Sequence, residues 1–190
     1  MKRWYLVRHG QTDYNHRRCF YGSHDVSINE QGQADSKQLA LLMQEHTVDA
    51  IYTSSLKRTQ ETAWLAFPER KVQPIADFDE RGFGQWEGLT ADEIEAAFPE
   101  VWQAWLEAPF EITPPEAEVF SDFQTRVWAA TDRLLDSTDE SIALVAHLGV
   151  LRLIYQHLVD GEAVFWNIDV PQGRVLLLEE RDQTWQATLL

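Results

Sequence analysis

The chain has 190 residues, enough for one ordinary domain or a domain carrying a small insertion. With 44% hydrophobic and 25% charged residues it has the composition of a packed globular protein, which excludes a disordered or collagen-like chain. Sixteen basic against 31 acidic residues give a formal net charge of -15, which argues against nucleic-acid and membrane-surface binders, since both need a basic face.

A small anionic ligand stays open, because a few arginines can make a positive pocket inside an acidic shell. The single cysteine, Cys19, leaves no disulfide framework and no multi-cysteine zinc site. The first apolar run covers only residues 4–7, too short for a secretory signal. No window reaches the roughly 20 apolar residues of a membrane span. A soluble, cytoplasmic protein is expected.

In chain order, residues 4–7, 48–52, 142–146 and 175–178 are short apolar runs that read as buried strands. Between the first two, residues 32–46 gather Leu39, Leu41, Leu42 and Met43 behind a polar start, which predicts a helix. Ser54 and Ser55 are candidate caps for a helix running through residues 63–66, and Thr90-Ala91-Asp92-Glu93 has the form of a capping box. The stretch 78–115 breaks the alternation with Gly82, Gly84, Gly88, Pro99, Pro109, Pro114 and Pro115, together with Trp86, Trp102 and Trp105. It reads as a helical insertion forming a cap over one end of the sheet. Phe123, Val127, Ala130 and Leu134 follow three- and four-residue spacing, which predicts a helix over about 121–135. Residues 149–158 make another helix directly after a strand. The chain closes with a strand at 184–189 returning beside 174–180 through a turn at Arg181-Asp182-Gln183. Strand–helix alternation of this kind predicts an α/β fold, a three-layer sandwich whose central sheet is mostly parallel and has helices on both faces. Residues 1–190 then form one domain, with the cap inserted at about 78–115.

Open α/β sheets bind ligands at the carboxyl ends of their strands. The residues just past the first strand are Arg8-His9-Gly10, and those past the 142–146 strand are His147-Leu148-Gly149. Past the 48–52 strand come Ser54, Ser55, Lys57 and Arg58. Two histidines and two arginines thus converge on one sheet edge from three strands. Arginines with helix N-terminal amides suit a phosphate or carboxylate, and a histidine among them can act as a nucleophile. A single Arg-His-Gly arises often by chance, but its recurrence at a second strand end favours function. His16, His24, His46 and His157 sit in polar loops or at helix ends and read as structural.

Leu6-Val7-Arg8-His9-Gly10-Gln11-Thr12 with Asn15 resembles the signature of the histidine phosphatase superfamily, in its phosphoglycerate mutase-like branch. Further matching pieces are Tyr21-Gly22, Asp25, Asn29-Glu30-Gln31-Gly32-Gln33-Ala34, and the run from Ser54 through Arg58 to Thr62. Glu80 followed by Gly84, Trp86, Glu87 and Gly88, and then His147 with Gly149, complete the match. The resemblance implies a metal-independent phosphomonoesterase with no cofactor, in which His9 carries the phosphoryl group. It implies that Arg8, Arg58 and His147 surround the phosphoryl oxygens, that Asn15 adds a neutral donor, and that Glu80 is the proton donor. Phe78, Phe83 and Trp86 are placed to raise the Glu80 pKa by desolvation.

Two positions depart from the family pattern. Leu148 stands where relatives carry glycine, so its backbone amide can still bind phosphate while its side chain narrows the pocket or alters the backbone angle. Ala117-Glu118-Val119 stands where relatives often show Gly-Glu-Ser. Arg126 reads as a helix residue pairing with nearby carboxylates.

Residues 90–115 contain no lysine or arginine but six acidic residues, which favours hydrolysis of a small phosphorylated metabolite over a phosphoglycerate mutase-type transfer. Trp102 and Trp105 read as packing, with an aromatic wall for a ring-bearing leaving group as the alternative. The stretch 21–30 is similar to bacterial members acting as alpha-ribazole phosphatases, which makes alpha-ribazole phosphate one candidate substrate. A non-catalytic phosphate-binding module is the reading from another class. A metal site is not expected, since no His-Glu-x-x-His helix is present. Val164, Phe165 and Trp166 form a candidate patch for a homodimer, with Trp166 equally placed to be buried near the sheet.

Overall fold

Strand β1 (Arg3–Arg8) carries the run Trp4-Tyr5-Leu6-Val7, and all four side chains are buried. Successive strand residues face opposite sides of a sheet, so a continuous apolar run needs cover on both. The computed structural model, which describes residues 1–190, shows that cover.

After β1 come helices α1 (Asp13–His16) and α2 (Glu30–Met43), strand β2 (Ala50–Thr53), helix α3 (Lys57–Ala66) and strand β3 (Val72–Pro74). Helices α4 (Ala91–Ala97), α5 (Pro99–Glu107) and α6 (Phe120–Leu135) precede strand β4 (Ser141–Ala146) and helix α7 (Leu148–Leu158). Strands β5 (Val175–Arg181) and β6 (Thr184–Leu189) end the chain. The six strands lie in the order β3-β2-β4-β1-β5-β6. Neighbours from β3 to β1 are parallel, β5 is antiparallel to β1, and β6 is antiparallel to β5. Only β5 therefore runs against the rest, and the mostly parallel sheet expected from strand–helix alternation is present.

On one face Trp4, Leu6, Ile142 and Leu144 pack against Val127 and Leu134 of α6 and Leu151 and Ile154 of α7. On the other, Tyr5, Val7, Ala143 and Val145 pack against Leu39 and Met43 of α2 and Ala63 and Ala66 of α3. A third cluster lies apart from both and joins Trp86, Ile94, Trp102 and Trp105, with Phe20 and Phe83 against it. Trp102 and Trp105 stack at 5.6 Å with 14° between their planes, so both pack in this cluster, and Trp105 also reaches the wall of a cavity. Its helices start as their sequence dictates. The Thr90 backbone N–H donates to Glu93 at 2.8 Å in a capping box, and Pro99 opens α5 where a missing N–H costs nothing.

Several local expectations are corrected. Helix α2 starts two residues earlier than the apolar spacing indicated, because Asn29 accepts the Gly32 N–H at 3.0 Å and caps it. Neither Ser54 nor Ser55 caps α3. Leu56 holds the N-cap position without a side-chain bond, and Asp25, from a distant segment, accepts the Lys57 N–H at 2.7 Å. Strand β3 went unseen because a three-residue edge strand ending in proline leaves no periodic signal. Of the expected surface patch, Val164 and Trp166 are exposed but Phe165 is buried, and Trp166 stacks on Phe110 at 5.6 Å rather than on the sheet.

Candidate active site at the strand ends

Strand register builds the centre of the site. Arg8 of β1 lies opposite Ala146 of β4, and the His9 N–H continues the ladder to the Ala146 carbonyl at 2.9 Å. His9 and His147, each one residue past its strand, therefore stand side by side, with ring centroids 5.2 Å apart. Thr53 of β2 pairs with Val145 of β4, which places Ser54 next in the row. The His147 Nε2 lies 2.8 Å from the Ser54 hydroxyl, and its Nδ1 is buried without a partner.

The His9 Nδ1 lies 2.8 Å from the Gly10 carbonyl. A carbonyl oxygen can only accept, so Nδ1 carries the proton and Nε2 keeps its lone pair. The tight bend that allows this bond passes under α2. A Cβ on Gly10 would stand 2.6 Å from the Gly32 carbonyl oxygen, so both glycines are demanded by the approach of two backbones. Burial, reinforced by the charges of Arg58 and Arg8, holds the His9 pKa well below the ordinary imidazole value. His147 is pushed the same way, again chiefly by burial. Both rings are neutral at neutral pH.

His9, Arg8, Asn15, Arg58, Glu80 and Leu148 line one cavity of about 340 Å³. His147 is the exception among the expected residues, fully buried behind His9 rather than on the cavity wall. The Arg58 Nη atoms donate to the carbonyls of His24 and Gly22 at 2.8 and 2.6 Å, and its guanidinium lies 4.7 Å from the Tyr21 ring centroid. Neither Arg8 nor Arg58 forms an ion pair, and the Nε of each is buried without a partner. The cavity is thus positive inside a chain of net charge -15. Asn15 uses its amide oxygen as the acceptor for the Thr12 N–H, the Thr12 hydroxyl and Gln172 Nε2, at 3.1 to 3.2 Å. That leaves its amide nitrogen as the free donor.

Glu80 reaches the site from the loop before α4. Its Oε2 accepts the Gly149 N–H at 3.1 Å and its Oε1 the Arg81 N–H at 3.0 Å. Desolvation raises its pKa despite these two bonds and the charges of Arg58 and Arg126, which oppose the rise. Arg126 pairs with the Glu118 carboxylate at 2.7 and 2.9 Å, as the sequence indicated, and also donates to the backbone carbonyls of Asp77, Asp79 and Glu80. It fixes the loop that carries Glu80.

Leu148 is the first residue of α7 and does not have positive φ, so leucine there creates no backbone strain and acts only by narrowing the cavity. Sequence reasoning missed Arg18 and Arg152, which also line the cavity with the already noted Tyr21 and Phe83, and Gln172, which orients Asn15. None follows a strand end directly, and Arg152 and Gln172 lie in segments with no motif. No group of three or more His, Cys, Asp or Glu side chains converges as a metal-ligand set.

A family model, Histidine phosphatase superfamily (branch 1), matches residues 4–190. The chain belongs to that superfamily. Phosphoserine phosphatase 1 of Hydrogenobacter thermophilus is 28% identical over 183 residues, covering 93% of this chain and 86% of that one. The adenosylcobalamin/alpha-ribazole phosphatase of Salmonella typhimurium is 30% identical over 177 residues, covering 91% and 87%. The crystal structure of the alpha-ribazole phosphatase from Shigella flexneri superposes with a TM-score of 0.91 at 26% identity, covering 99% of this chain and 95% of that one. This histidine phosphatase thus has the phosphoglycerate mutase-like fold, and it is an enzyme of the phosphatase class. No helix is long and apolar enough to cross a membrane.

Proposed function

We propose that this histidine phosphatase hydrolyses phosphomonoesters of a small metabolite through a phosphohistidine on His9, with Glu80 as the proton donor. The observation that carries the reading is the orientation of His9. Its Nδ1 proton is committed to Gly10, so the unprotonated Nε2 is the nucleophile, in a cavity with two arginines that have no ion pair.

In the first step Nε2 attacks phosphorus in line and the bond from phosphorus to the leaving oxygen breaks. The Glu80 carboxyl gives its proton to that oxygen, and the burial that raises its pKa favours the protonated form this step requires. Arg8, Arg58 and the Asn15 amide hold the non-bridging oxygens as charge redistributes. In the second step water attacks the phosphohistidine, Glu80 takes its proton, and the nitrogen–phosphorus bond breaks to release inorganic phosphate. Residues 78–115 would act as the cap, and they contribute Glu80 and Phe83 to the cavity wall.

Alpha-ribazole phosphate and phosphoserine, taken from the names of the relatives, are the first substrates to offer. The test is turnover of p-nitrophenyl phosphate with and without EDTA, followed by acid-quenched trapping of phosphoprotein. Chelator-insensitive turnover, with an acid-labile phosphoprotein in the wild type and none in His9→Ala, is expected. Turnover that survives in His9→Ala sinks the reading.

A further inference from the structure

A second cavity, of about 140 Å³, adjoins the first: it shares Glu80, Phe83, Leu148 and Arg152 with it, while His9 lines only the first. The proposed proton donor thus stands at the boundary of the two spaces, together with Phe83, Leu148 and Arg152. On the reading proposed above, the phosphoryl group occupies the first cavity and the leaving oxygen lies at Glu80. The rest of the alcohol then extends into the second.

Its walls are aromatic. Trp105, Phe110, Phe165 and Trp166 line it, with Phe110 and Trp166 stacked 12° from parallel at 5.6 Å. Trp166 remains 48% exposed and Phe110 41% exposed, so this stacked pair offers free ring surface at the mouth. Such surface favours a flat apolar group, which gains dispersion and burial together.

Two cations complete the wall. Arg152 lies 5.2 Å from the Phe165 centroid and 5.4 Å from that of Trp166. Arg81, only 5% exposed, lies between Phe83 and Phe120 at 5.7 and 5.5 Å. Its Nε donates to the Glu118 carbonyl at 2.9 Å, but its Nη2 is buried with no partner. A buried donor without an acceptor is a rare arrangement in a folded interior. Neither arginine forms an ion pair, and with Glu80 protonated, as the proposed mechanism requires, the cavity disfavours an ammonium group such as that of serine.

We infer that this cavity is the leaving-group subsite and that it selects an alcohol bearing an aromatic ring with a hydrogen-bond acceptor, which Arg81 Nη2 engages. The inference rests on the phosphatase reading and narrows it to ring-bearing substrates over amino-acid, glycerate and simple alkyl phosphates.

The test compares 2-phenylethyl phosphate with n-propyl phosphate, whose leaving groups are both primary alkoxides of similar basicity, so that chemistry is held nearly constant. In the wild type the ratio of kcat/KM should favour the ring by roughly tenfold or more, the scale expected from burying a phenyl group. The ratio should fall to within about twofold in the Phe110→Ala/Trp166→Ala double variant, since the walls that bury the ring are gone. A wild-type ratio near one, a ratio that persists in the double variant, or a preference for phosphoserine or 3-phosphoglycerate overturns the inference. If no phosphate ester is turned over, the phosphatase reading fails instead. Binding of the same two esters to His9→Ala, followed by tryptophan fluorescence, then still decides the subsite: tighter binding of the ring ester supports it, and equal affinities overturn it.

Discussion

The Gly149 backbone N–H meets the Glu80 carboxylate at 3.1 Å, and a Cβ at position 149 would stand 2.5 Å from Glu80 Oε1. The first turn of α7 and the proposed proton donor therefore occupy adjoining space with no room for a methyl group. The glycine is required by this approach rather than by its own backbone angle, which is helical. Gly149→Ala is expected to fold, since alanine suits a helix, but to push Glu80 off its position. Turnover of alkyl phosphates should fall by about 10²-fold or more, the scale of general-acid catalysis. The value of kcat/KM for p-nitrophenyl phosphate should fall much less, because its leaving group needs little protonation in the phosphorylation step that this constant reports. Equal losses on both substrates would show that Glu80 is not displaced from an acid role.

The raised pKa of Glu80 sets the alkaline side of the activity profile. As pH rises through that pKa the carboxyl loses the proton it must donate, so kcat/KM on an alkyl phosphate should decline towards alkaline pH. His9, with its pKa held well below 6.5, stays unprotonated well to the acid side of neutral. The optimum should therefore lie between the acid-side protonation of His9 and the alkaline loss of the Glu80 proton. In Glu80→Gln the alkaline decline should disappear along with most of the activity on alkyl esters. A decline that persists unchanged in Glu80→Gln would assign it to another group.

Which parts of this site could be read from the residues alone follows from what each depends on. His9, Arg8 and His147 stand at the ends of apolar runs, where strand order and local sequence coincide, so their convergence was legible without coordinates. Glu80 was not separable from Asp77, Asp79 and Glu87 by any local pattern; only the resemblance to a family picked it out. Its burial arises from α7 and the Arg126 bonds, contacts across 46 and 69 positions of sequence. Ser54 was misread as a cap because a serine before a helix is ordinarily one, whereas here β2–β4 register gives it to His147. The aromatic cavity was partly legible: Trp105, which lines it, was visible in a spaced pair with Trp102, but Phe110 meeting Trp166 is a contact between distant short segments that nothing periodic announces.

Glu87 shows how far the support of the cavity extends. Its carboxylate accepts the backbone N–H groups of Gly22, Ser23, His24 and Phe83, at 2.9 to 3.2 Å. The Gly22 and His24 carbonyls in turn hold Arg58. Burial would raise the Glu87 pKa, but the N–H bonds from Phe83, Ser23 and Gly22 outweigh it and leave the carboxyl below its usual range. Glu87→Gln keeps the shape but replaces one acceptor oxygen with a donor facing other donors. It should cost about 1–3 kcal/mol of stability, the scale for an unsatisfied buried polar group. It should also raise KM for every phosphate ester alike by loosening Arg58. A urea titration together with steady-state kinetics checks both, and an unchanged KM would mean that Arg58 is held without the loop.

The stability of the fold should carry opposite signatures from its buried acid and its buried bases. His9 and His147 have folded pKa values below their unfolded value near 6.5, so the unfolded chain binds more protons than the native one as pH falls past that point. The stability they allow is fully present above about 6.5 and is lost as pH drops towards their folded pKa values. Glu80 runs the other way. Its folded pKa lies above its unfolded one, so its contribution is fully present below the unfolded pKa and is lost as pH rises through the folded pKa. Below about pH 6.5, and above the unfolded Glu80 pKa near 4.5, the two effects oppose each other in the wild type, each difference of one bound proton tilting stability by about 1.4 kcal/mol per pH unit. Glu80→Gln removes the acid signature, so the variant should be more stable than the wild type at pH ~7.5. It should also lose stability more steeply on acidification, because only the histidines remain. Adding His9→Ala to Glu80→Gln should make that slope shallower again. Urea midpoints for the three proteins at pH ~7.5 and ~5.5 measure the slopes directly, and a Glu80→Gln slope no steeper than the wild type would show that Glu80 is ionised in the native state throughout this range.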